Sequence, residues 1–439
     1  MIECLIDGLY KKYSISNRLD IIVKYIYALD KLGELPNFID VNAKELYYKH
    51  IHIRTGSKEP GAESIKSSID DFINQFDQLI TDMKPGFSNF FPIPISSINH
   101  LPLNGAHRIA VALAYDYKPI MVTTSENIGG TWGGEWFLDA GFSKNEIHNI
   151  IKAFSYSQNY QNLHFAILWE PSYSCWDSIE LDLKKDFNLV YSEELFFKKS
   201  GFNEFVRDLY SFDTGANFNE QIERKIRLLS EHEPKCKIIV LEKKEIRDIR
   251  VVKEKIRDKF KKVNPIYNFT TLHISDSSSE YIHTEKIVLN SMNMNLYNLR
   301  TDLDLDFLSM LQNYKSTLHK IGIKENDCCI VGSSILNVFN LRKADDIDFT
   351  LLKDSRMKHF DNGVTNIDNT TDVVAYNYAR CFQGKAINDT QLITIPKHHF
   401  LVRGCKFAYP TIVLTRKQYQ RRPKDLKDIS LLGNLLKKI

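Results

Sequence analysis

The sequence has few of the features that mark secreted, zinc-stabilised or membrane-spanning proteins. Its 439 residues include 7 cysteines, an odd number with no C-x-x-C pair, so neither a disulfide scaffold nor a structural zinc site is expected. No uncharged apolar run reaches the roughly 18 residues that suggest a membrane helix, and the acidic N-terminal segment does not resemble a signal peptide. We therefore expect a cytoplasmic protein without a membrane span.

An excess of charge of one sign is also missing. Lys and Arg number 58 and Asp and Glu number 55, which gives a net charge of +3. This balance disfavours nucleic acid as a partner, although it leaves that alternative open, and any anion must be met by a local site. Aromatic residues are abundant, with 26 Phe and 21 Tyr, so the cores can be large. Nothing in the sequence predicts the oligomeric state.

The length predicts two to three domains, at about 150 residues each. Helical and strand patterns alternate along the chain, which indicates a mixed α/β (α+β) multidomain fold. We expect domains at 1–135, 136–300 and 301–439, the middle one being an α/β domain of unknown role. The glycine cluster from Gly129 to Gly134 is typical of a mobile loop or a domain boundary.

Local patterns predict several elements around the later motifs. Apolar spacing predicts helices at 18–33 and 64–83, and the prolines near Ile93 favour an edge strand or an extended loop over a central strand. The middle segment contains four polar residues whose irregular spacing indicates loop positions and not a metal site: His273, Asp276, His283 and Glu285. Other predicted elements are a helix from Ile109, a strand at 118–124, a strand at 328–331, a helix at 334–339 and a strand at 346–352.

The strongest chemical pattern lies near the C-terminus. Val331-Gly332-Ser333 is followed, twelve residues later, by Asp346-Ile347-Asp348. Two carboxylates two residues apart on a strand project from the same face, close enough to share divalent cations. The pattern resembles the signature of the polymerase-β nucleotidyltransferase superfamily. The resemblance implies an Asp-x-Asp strand beside a strand that ends in Gly-Ser, with Mg²⁺ or Mn²⁺ as cofactor and a nucleoside triphosphate as substrate.

The resemblance also implies roles for individual residues. Asp346 and Asp348 would bind the metal and act in catalysis, and Gly332, Ser333 and Ser334 would hold the phosphates. Arg342 and Lys343, just before the carboxylates, either add positive charge for the triphosphate or belong to a solvated loop.

The superfamily usually adds a third carboxylate on a later strand. The candidates are Asp361, Asp368 and Asp372, and we prefer Asp372 because an apolar run follows it directly. The segment from Arg421 to Asp428 is similar to a helix near the C-terminus of small nucleotidyltransferases. Within it, Lys424 and Asp428 could equally form a surface ion pair.

A second motif lies in the N-terminal third. Gly105-Ala106-His107-Arg108 precedes an Ala-rich helix and resembles the turn of the ParB/sulfiredoxin superfamily, which includes nucleotide-binding proteins and free-serine kinases. A glycine turn at a helix start exposes N–H groups to an anion, and the His and Arg side chains would add charge. The resemblance implies a nucleotide-binding or kinase domain. Ala106 stands where sulfiredoxins have a reactive Cys, so thiol redox chemistry is not expected.

Two upstream carboxylates could deprotonate an acceptor hydroxyl in this domain. Glu59 and Glu63 lie in a polar loop ahead of a helix, although Glu63 could instead be a residue that favours a helix start.

Together the motifs predict a bifunctional phosphotransferase and nucleotidyltransferase that acts on a small sugar or polyol. The resemblance extends to proteins of bacterial surface-polysaccharide biosynthesis. One alternative is a nucleotidyltransferase that modifies tRNA or protein in defence or toxicity, and another is a regulatory scaffold that binds nucleotide. The macromolecular alternative needs a basic surface, which one cluster could supply: Arg416, Lys417, Arg421, Arg422 and Lys424.

Overall fold

The computed structural model divides the chain into two compact units. Unit 1 comprises Met1–Leu168, Ser172–Glu194 and Lys237–Ile282, and unit 2 comprises Trp169–Pro171, Leu195–Cys236 and His283–Ile439. The described residues are 1–58, 66–87, 92–124, 127–212, 218–244, 248–261, 270–352, 365–368, 371–373 and 387–438. Both units combine helices with sheets, which confirms the mixed α/β class.

The first sheet of unit 1 contains the N-terminal strands. Its order is β2-β1-β4-β3, formed by β1 (Ile2–Ile6), β2 (Leu9–Tyr13), β3 (Ile93–Ser96) and β4 (Ile120–Thr124). β3 contains Pro94 and lies at the edge, where a residue without an N–H is tolerated. The helices of this region are α1 (Leu19–Leu32), α2 (Ala43–Thr55), α3 (Ile69–Asp82) and α4 (Ala106–Ala114).

Helix α1 lies at the centre of this region. Every residue from Leu19 to Leu29 is buried, including two charged ones, and Gly33 ends the helix in the left-handed conformation with φ of 73°. The expected stop at Gly33 is therefore present. Helix α3 starts at a capping box between Ser68 and Asp71, which satisfies two backbone donors at its first turn.

The second sheet has the order β6-β7-β5-β8, and most of it belongs to unit 1. Its strands are β5 (Leu163–Trp169), β6 (Phe187–Phe196), β7 (Lys235–Lys243) and β8 (Leu272–Ile274). Apolar side chains of β5, β7 and β8 pack with α7 (Trp176–Asp186) and α10 (Ile249–Lys261) in one core. Two further helices, α5 (Gly134–Asp139) and α6 (Lys144–Ser157), precede it.

The six-stranded sheet of unit 2 contains the C-terminal motif. Its order is β11-β12-β10-β9-β14-β13. The strands are β9 (Cys328–Val331), β10 (Ile347–Leu351), β11 (Thr365–Asp368), β12 (Thr371–Val373), β13 (His399–Val402) and β14 (Cys405–Ala408). β9 pairs antiparallel with β10 and parallel with β14, so the strand that ends at the motif glycine is central and buried.

Helices surround this sheet and share its core. Phe307, Ile330, Phe349 and Phe407 are fully buried in one apolar cluster. The helices assigned to unit 2 are α8 (Lys199–Leu209), α9 (Phe218–Leu229), α12 (Ser291–Tyr297), α13 (Leu305–Lys320), α14 (Ser334–Val338), α15 (Asp389–Thr394), α16 (Pro410–Gln420) and α17 (Pro423–Leu436). Helix α11 (Ser278–Val288) crosses from unit 1 to unit 2.

The expected middle segment, 136–300, is distributed over both units. Residues 195–236 pack with the C-terminal part of the chain, whereas 237–282 pack with the N-terminal part. The glycine cluster is followed by α5, and the chain on both sides of the cluster belongs to unit 1.

None of the described helices is both long enough and apolar enough to cross a membrane.

Candidate functional site

The C-terminal motif forms one continuous turn in unit 2. β9 ends at Val331, Gly332 follows with φ of 73°, and α14 begins at Ser334. β10 then runs antiparallel to β9, with Asp348 paired opposite Val331. The Gly-Ser turn and the Asp-x-Asp strand are therefore neighbours in the sheet. Asp346, one residue before β10, and Asp348 are both half-buried.

Gly332 and Asp348 are in direct contact. A Cβ atom on Gly332 would lie 2.6 Å from Oδ2 of Asp348, closer than nonbonded atoms approach. The positive φ of Gly332 is also a conformation that other residues rarely adopt. Glycine at this position therefore leaves room for the carboxylate of Asp348 against the backbone of the turn.

The backbone register distinguishes the candidates for a third carboxylate. Asp361 lies outside the described residues, and Asp368 ends the edge strand β11, where it pairs with Thr371. The Cα atom of Asp372 is the register partner of Asp348 across the parallel pair β12 and β10. This placement favours Asp372, whose role stays a prediction.

The two serines after Gly332 have different surroundings. Ser334 is fully buried, and its hydroxyl donates to the carbonyl oxygen of Asp346 at 3.0 Å. This hydrogen bond connects the start of α14 to the residue just before β10. Ser333 is half-buried, so its hydroxyl is the more accessible of the two.

The two basic residues before the carboxylates are engaged with acidic side chains. Arg342 donates from Nε and from a terminal nitrogen to the two carboxylate oxygens of Asp428, at 2.7 and 2.9 Å. This pairing raises the pKa of Arg342 further. Nζ of Lys343 lies 2.8 Å from Asp306, and both side chains are exposed, as expected for a solvated loop. A phosphate-binding role for either residue stays a prediction.

Asp428 belongs to a buried ion-pair network between α16 and α17. Nζ of Lys417 lies 2.7 Å from Asp428 and 3.2 Å from Asp425, and Arg422 lies 2.6 Å from Asp425. Burial acts to raise the pKa of Asp428, but hydrogen bonds from Arg342 and Lys417 hold it below its ordinary value. Asp428 thus joins the loop before β10 to the C-terminal helices.

Arg416, which the sequence analysis placed only in the basic C-terminal cluster, interacts electrostatically with Asp348. It is half-buried on α16, and burial lowers its pKa to about 10, while the negative charge of Asp348 acts to raise it. Arg416 is therefore charged at neutral pH and within electrostatic range of Asp348. The sequence offers no local signal for this electrostatic interaction, because Arg416 and Asp348 lie on elements that are distant in the sequence.

The N-terminal motif forms the turn before α4 in unit 1. Gly105 has φ of 82°, and a Cβ atom there would lie only 3.0 Å from a terminal nitrogen of Arg108 and 3.1 Å from Ile93. The side-chain oxygen of Asn104 accepts a hydrogen bond from the N–H of Gly105 at 2.6 Å. The turn is thus fixed by its own side chains, and Arg108 lies half-buried against it.

His107 lies among aromatic side chains. Nε2 of His107 lies 2.9 Å from the hydroxyl of Tyr47, and the ring of Phe76 packs edge-on at 4.6 Å. Desolvation and the nearby cation Lys24 hold the pKa of His107 well below its usual value. His107 is neutral, so it could contribute a hydrogen bond but not the positive charge that the motif suggested. Glu59 and Glu63 lie outside the described residues.

Three residues beside His107 escaped the motif analysis. Lys24 from α1 and His50 from α2 are fully buried, and Arg54 lies one turn after His50. A signal was available for Lys24, because a lysine within an otherwise apolar helical run needs a partner in the core. Their contacts are described below.

The polar residues of the middle segment have structural contacts, but the predicted loop positions are wrong for three of them, because His273 lies on β8 and His283 and Glu285 lie on α11. Nε2 of His273 lies 2.9 Å from Glu280, and Asp276 lies 2.7 Å from Lys253. His283 contacts the carbonyl oxygen of Asp208 at 3.0 Å. Among the described side chains, no group of three His, Cys, Asp or Glu residues is arranged to hold a metal ion.

We expect Gly332→Ala to displace the Asp348 carboxylate. The added methyl group would overlap Oδ2 of Asp348, and alanine at positive φ costs about 1–2 kcal/mol. An error of about 1 Å in a reacting group can lower a rate about 100-fold, so the nucleotidyl transfer that the motif resemblance implies would fall by at least tenfold if it depends on Asp348. Urea unfolding and pyrophosphate release would measure the two effects.

Gly404→Ala is the matched control for this variant. Gly404 is also in unit 2 with φ of 81°, but a Cβ atom there meets only ordinary contacts at 3.5 Å. It should carry a similar backbone cost and leave transfer unchanged. Equal activity losses in both variants would contradict a specific role for the contact between Gly332 and Asp348.

Comparisons with protein-family models, with curated proteins and with solved structures gave no match to this chain.

Proposed function

We propose that unit 2 is a nucleotidyltransferase of the polymerase-β type, which transfers a nucleotidyl group from a nucleoside triphosphate to a small acceptor and releases pyrophosphate. The observation that carries this proposal is the placement of Asp348. Its carboxylate lies against the Gly332 turn, and its Cα atom is the register partner of Asp372 on the next strand. The spacing of the motif in the sequence does not by itself require either of these placements.

The residues present are suited to a divalent cation. Asp346 and Asp348 offer carboxylate oxygens, the ligands that Mg²⁺ prefers, and would hold it together with substrate phosphates. When bound, the ion would neutralise phosphate charge and activate the attacking oxygen. Arg416 would add fixed positive charge near Asp348, and the hydroxyl of Ser333 would donate to a phosphate oxygen.

The contacts of the basic C-terminal cluster support a small acceptor over a macromolecule. Lys417 and Arg422 are neutralised by Asp425 and Asp428 within the fold. A surface for RNA would need these cations to face phosphates. Modification of tRNA or protein is therefore the second candidate, and labelling of a macromolecule in preference to a sugar would favour it.

For unit 1 we propose phosphoryl transfer or nucleotide binding at the turn before α4. The positive φ of Gly105 and the half-buried Arg108 beside it are suited to an anion at the helix start. The whole chain would then be a cytoplasmic bifunctional enzyme that phosphorylates and activates a sugar or polyol. Its assignment to bacterial surface-polysaccharide biosynthesis rests on resemblance alone, and a nucleotide-binding scaffold is the non-enzymatic alternative.

The proposed function is tested with labelled nucleoside triphosphates. The protein would be incubated with each nucleotide, with Mg²⁺ or Mn²⁺, and with a pool of sugar and polyol phosphates. We expect metal-dependent pyrophosphate release and a labelled small-molecule product. Nucleotide binding without any turnover across this panel would favour the scaffold.

The two units should be separable by Arg108→Ala. Removing this cation from the Gly105 turn should abolish nucleotide hydrolysis or phosphoryl transfer by unit 1 and leave nucleotidyl transfer intact. The exposed Lys44→Ala on α2 controls for the loss of one positive charge. Loss of both activities in folded Arg108→Ala would argue against two separate sites.

A further inference from the structure

A cluster of buried cations lies beside the N-terminal motif in unit 1. Asp20 accepts hydrogen bonds from Arg18 at 2.8 and 3.1 Å, and Nζ of Lys24 lies 3.1 Å from the same carboxylate. All three side chains are at least nine-tenths buried. Among the described side chains of this cluster, two positive charges thus share one negative charge away from solvent. Burial of an unbalanced charge is costly, so the cluster favours a further anion.

His50 provides an unused hydrogen-bonding group at this cluster. Its side chain is fully buried and stacked on Phe137, and among the described residues neither ring nitrogen has a hydrogen-bond partner. Burial and the charge of Lys24 hold the pKa of His50 well below its usual value. The ring is therefore neutral and has one N–H available for an acceptor, whereas buried polar groups are normally satisfied.

Arg54 extends the cluster toward solvent. One of its terminal nitrogens lies 4.0 Å from Asp20, and its guanidinium lies over the ring of Trp132 at 4.3 Å. Arg18 lies over the same ring at 4.7 Å, so Trp132 holds both cations in place. The side chain of Arg54 is 29% exposed, so this end of the cluster is in contact with solvent.

We infer that Lys24, His50 and Arg54 form a binding site for a dianionic phosphate group, contributed by α1 and α2 and separate from the Gly-x-His-Arg turn. Two charged donors and one neutral donor suit a tetrahedral dianion, which has several acceptor oxygens and can balance the cations. Tyr47, on the same helix as His50 and Arg54, contacts His107 at 2.9 Å and links this site to the turn. The inference rests on the proposed phosphate chemistry of unit 1, and it assigns the residues that would hold a substrate phosphate there.

Binding of inorganic phosphate to the intact protein tests the inference without nucleotide or turnover. Isothermal titration should show saturable phosphate binding that sulfate, a similar dianion, competes with and chloride does not. We expect Arg54→Gln and Lys24→Met each to weaken phosphate binding at least tenfold. Lys44→Gln, an exposed lysine on the same helix as Arg54, should bind as the wild type does.

The pH dependence gives a second readout. Burial lowers the pKa of Lys24 to about 8, against the opposing effect of Asp20. Arg18, His50, Arg54 and His107 are the other charged or titratable groups near it. Phosphate binding should therefore weaken as the pH rises above 8, because Lys24 then loses its proton. In Lys24→Met this decline should disappear.

The inference is overturned if the wild type shows no saturable phosphate binding, or if folded Arg54→Gln and Lys24→Met bind phosphate like the wild type. Arg54 is partly exposed, so Arg54→Gln carries the test even if Lys24→Met does not fold. Phosphate binding that depends on Arg54, in a protein that turns over no nucleotide, would support the site while contradicting the proposed function. Competition by ATP would indicate a nucleotide phosphate as the source, and competition by a sugar phosphate alone would indicate the acceptor.

Discussion

Asp348→Asn should abolish nucleotidyl transfer and leave the fold intact. The amide has the size of the carboxylate, so the packing against Gly332 is preserved. It lacks the negative charge that a divalent cation requires, and it changes the electrostatic partner of Arg416. Loss of one electrostatic group in an active site costs about 100- to 1,000-fold in rate, and loss of a metal ligand should cost at least that much. Pyrophosphate release at saturating Mg²⁺ measures this loss.

The neighbouring Asp345 provides a matched control. It is exposed in the loop just before the strand, so Asp345→Asn removes the same charge from the same stretch of chain. Its activity should stay within a factor of two or three of the wild type, the usual range for a surface substitution. Binding of Mn²⁺, measured by electron paramagnetic resonance, gives a readout that does not need turnover. We expect it to weaken in Asp348→Asn and in Asp346→Asn but not in Asp345→Asn.

Two results would contradict the proposed roles of these carboxylates. One is pyrophosphate release that persists in the double variant Asp346→Asn/Asp348→Asn. The other is loss of activity with unchanged Mn²⁺ binding. In that case the two carboxylates would be needed for activity but not for binding the metal. Asp372→Asn extends the series, because its Cα atom is the register partner of Asp348. A third carboxylate at this position should give a loss comparable to that of Asp348→Asn.

Features that depend on a few adjacent residues were predictable from the sequence. The left-handed stop of α1 at Gly33 and the edge position of the strand containing Pro94 each follow from one residue's backbone preference. The adjacency of β9 and β10 was implied by the resemblance of the Gly-Ser and Asp-x-Asp motif, and the two strands do pair. In these cases local conformation and tertiary position are set by the same residues.

Features that depend on distant side chains were not predictable in this way. Arg342 is one example, because Asp428, far along the chain, accepts hydrogen bonds from Nε and from one terminal nitrogen of its guanidinium. His107 was expected to add charge, but the aromatic rings around it come from α2 and α3 and keep it neutral. No periodicity or motif in the sequence indicates such contacts, because a side chain becomes buried and acquires its partners only when the chain folds.

The grouping of α8 with the C-terminal part of the chain also involves side chains that are distant in the sequence. In this case the side chains are buried and charged. Arg300 donates to Asp208 at 2.6 Å and to Glu204 at 3.1 Å, and all three side chains are inaccessible to solvent. Glu204 and Asp208 both lie on α8, and Arg403 after β13 donates to each of them. These contacts connect α8 to the C-terminal sheet.

Arg300→Met should therefore destabilise unit 2 by about 3–5 kcal/mol, the usual cost of leaving buried charges without their partner. Arg207→Met is the control, because two of its three carboxylate partners, Glu223 and Asp302, are 45% and 68% exposed and can be solvated. Its cost should be nearer 1 kcal/mol. Urea unfolding, followed by a probe in unit 2, measures both.

Hydrogen exchange would show which segments respond to the loss of Arg300. Because Arg300 and Arg403 join α8 to the C-terminal sheet through buried charges, exchange should accelerate in 195–212 and in 399–408 together. Peptides from 237–243 and 272–274 belong to unit 1 and should keep their protection. A self-standing middle domain would behave differently, because 195–212 would then respond together with 237–274 and the C-terminal strands would not. That pattern would support a separate middle domain with boundaries at 136 and 300 and would contradict the assignment of α8 to unit 2.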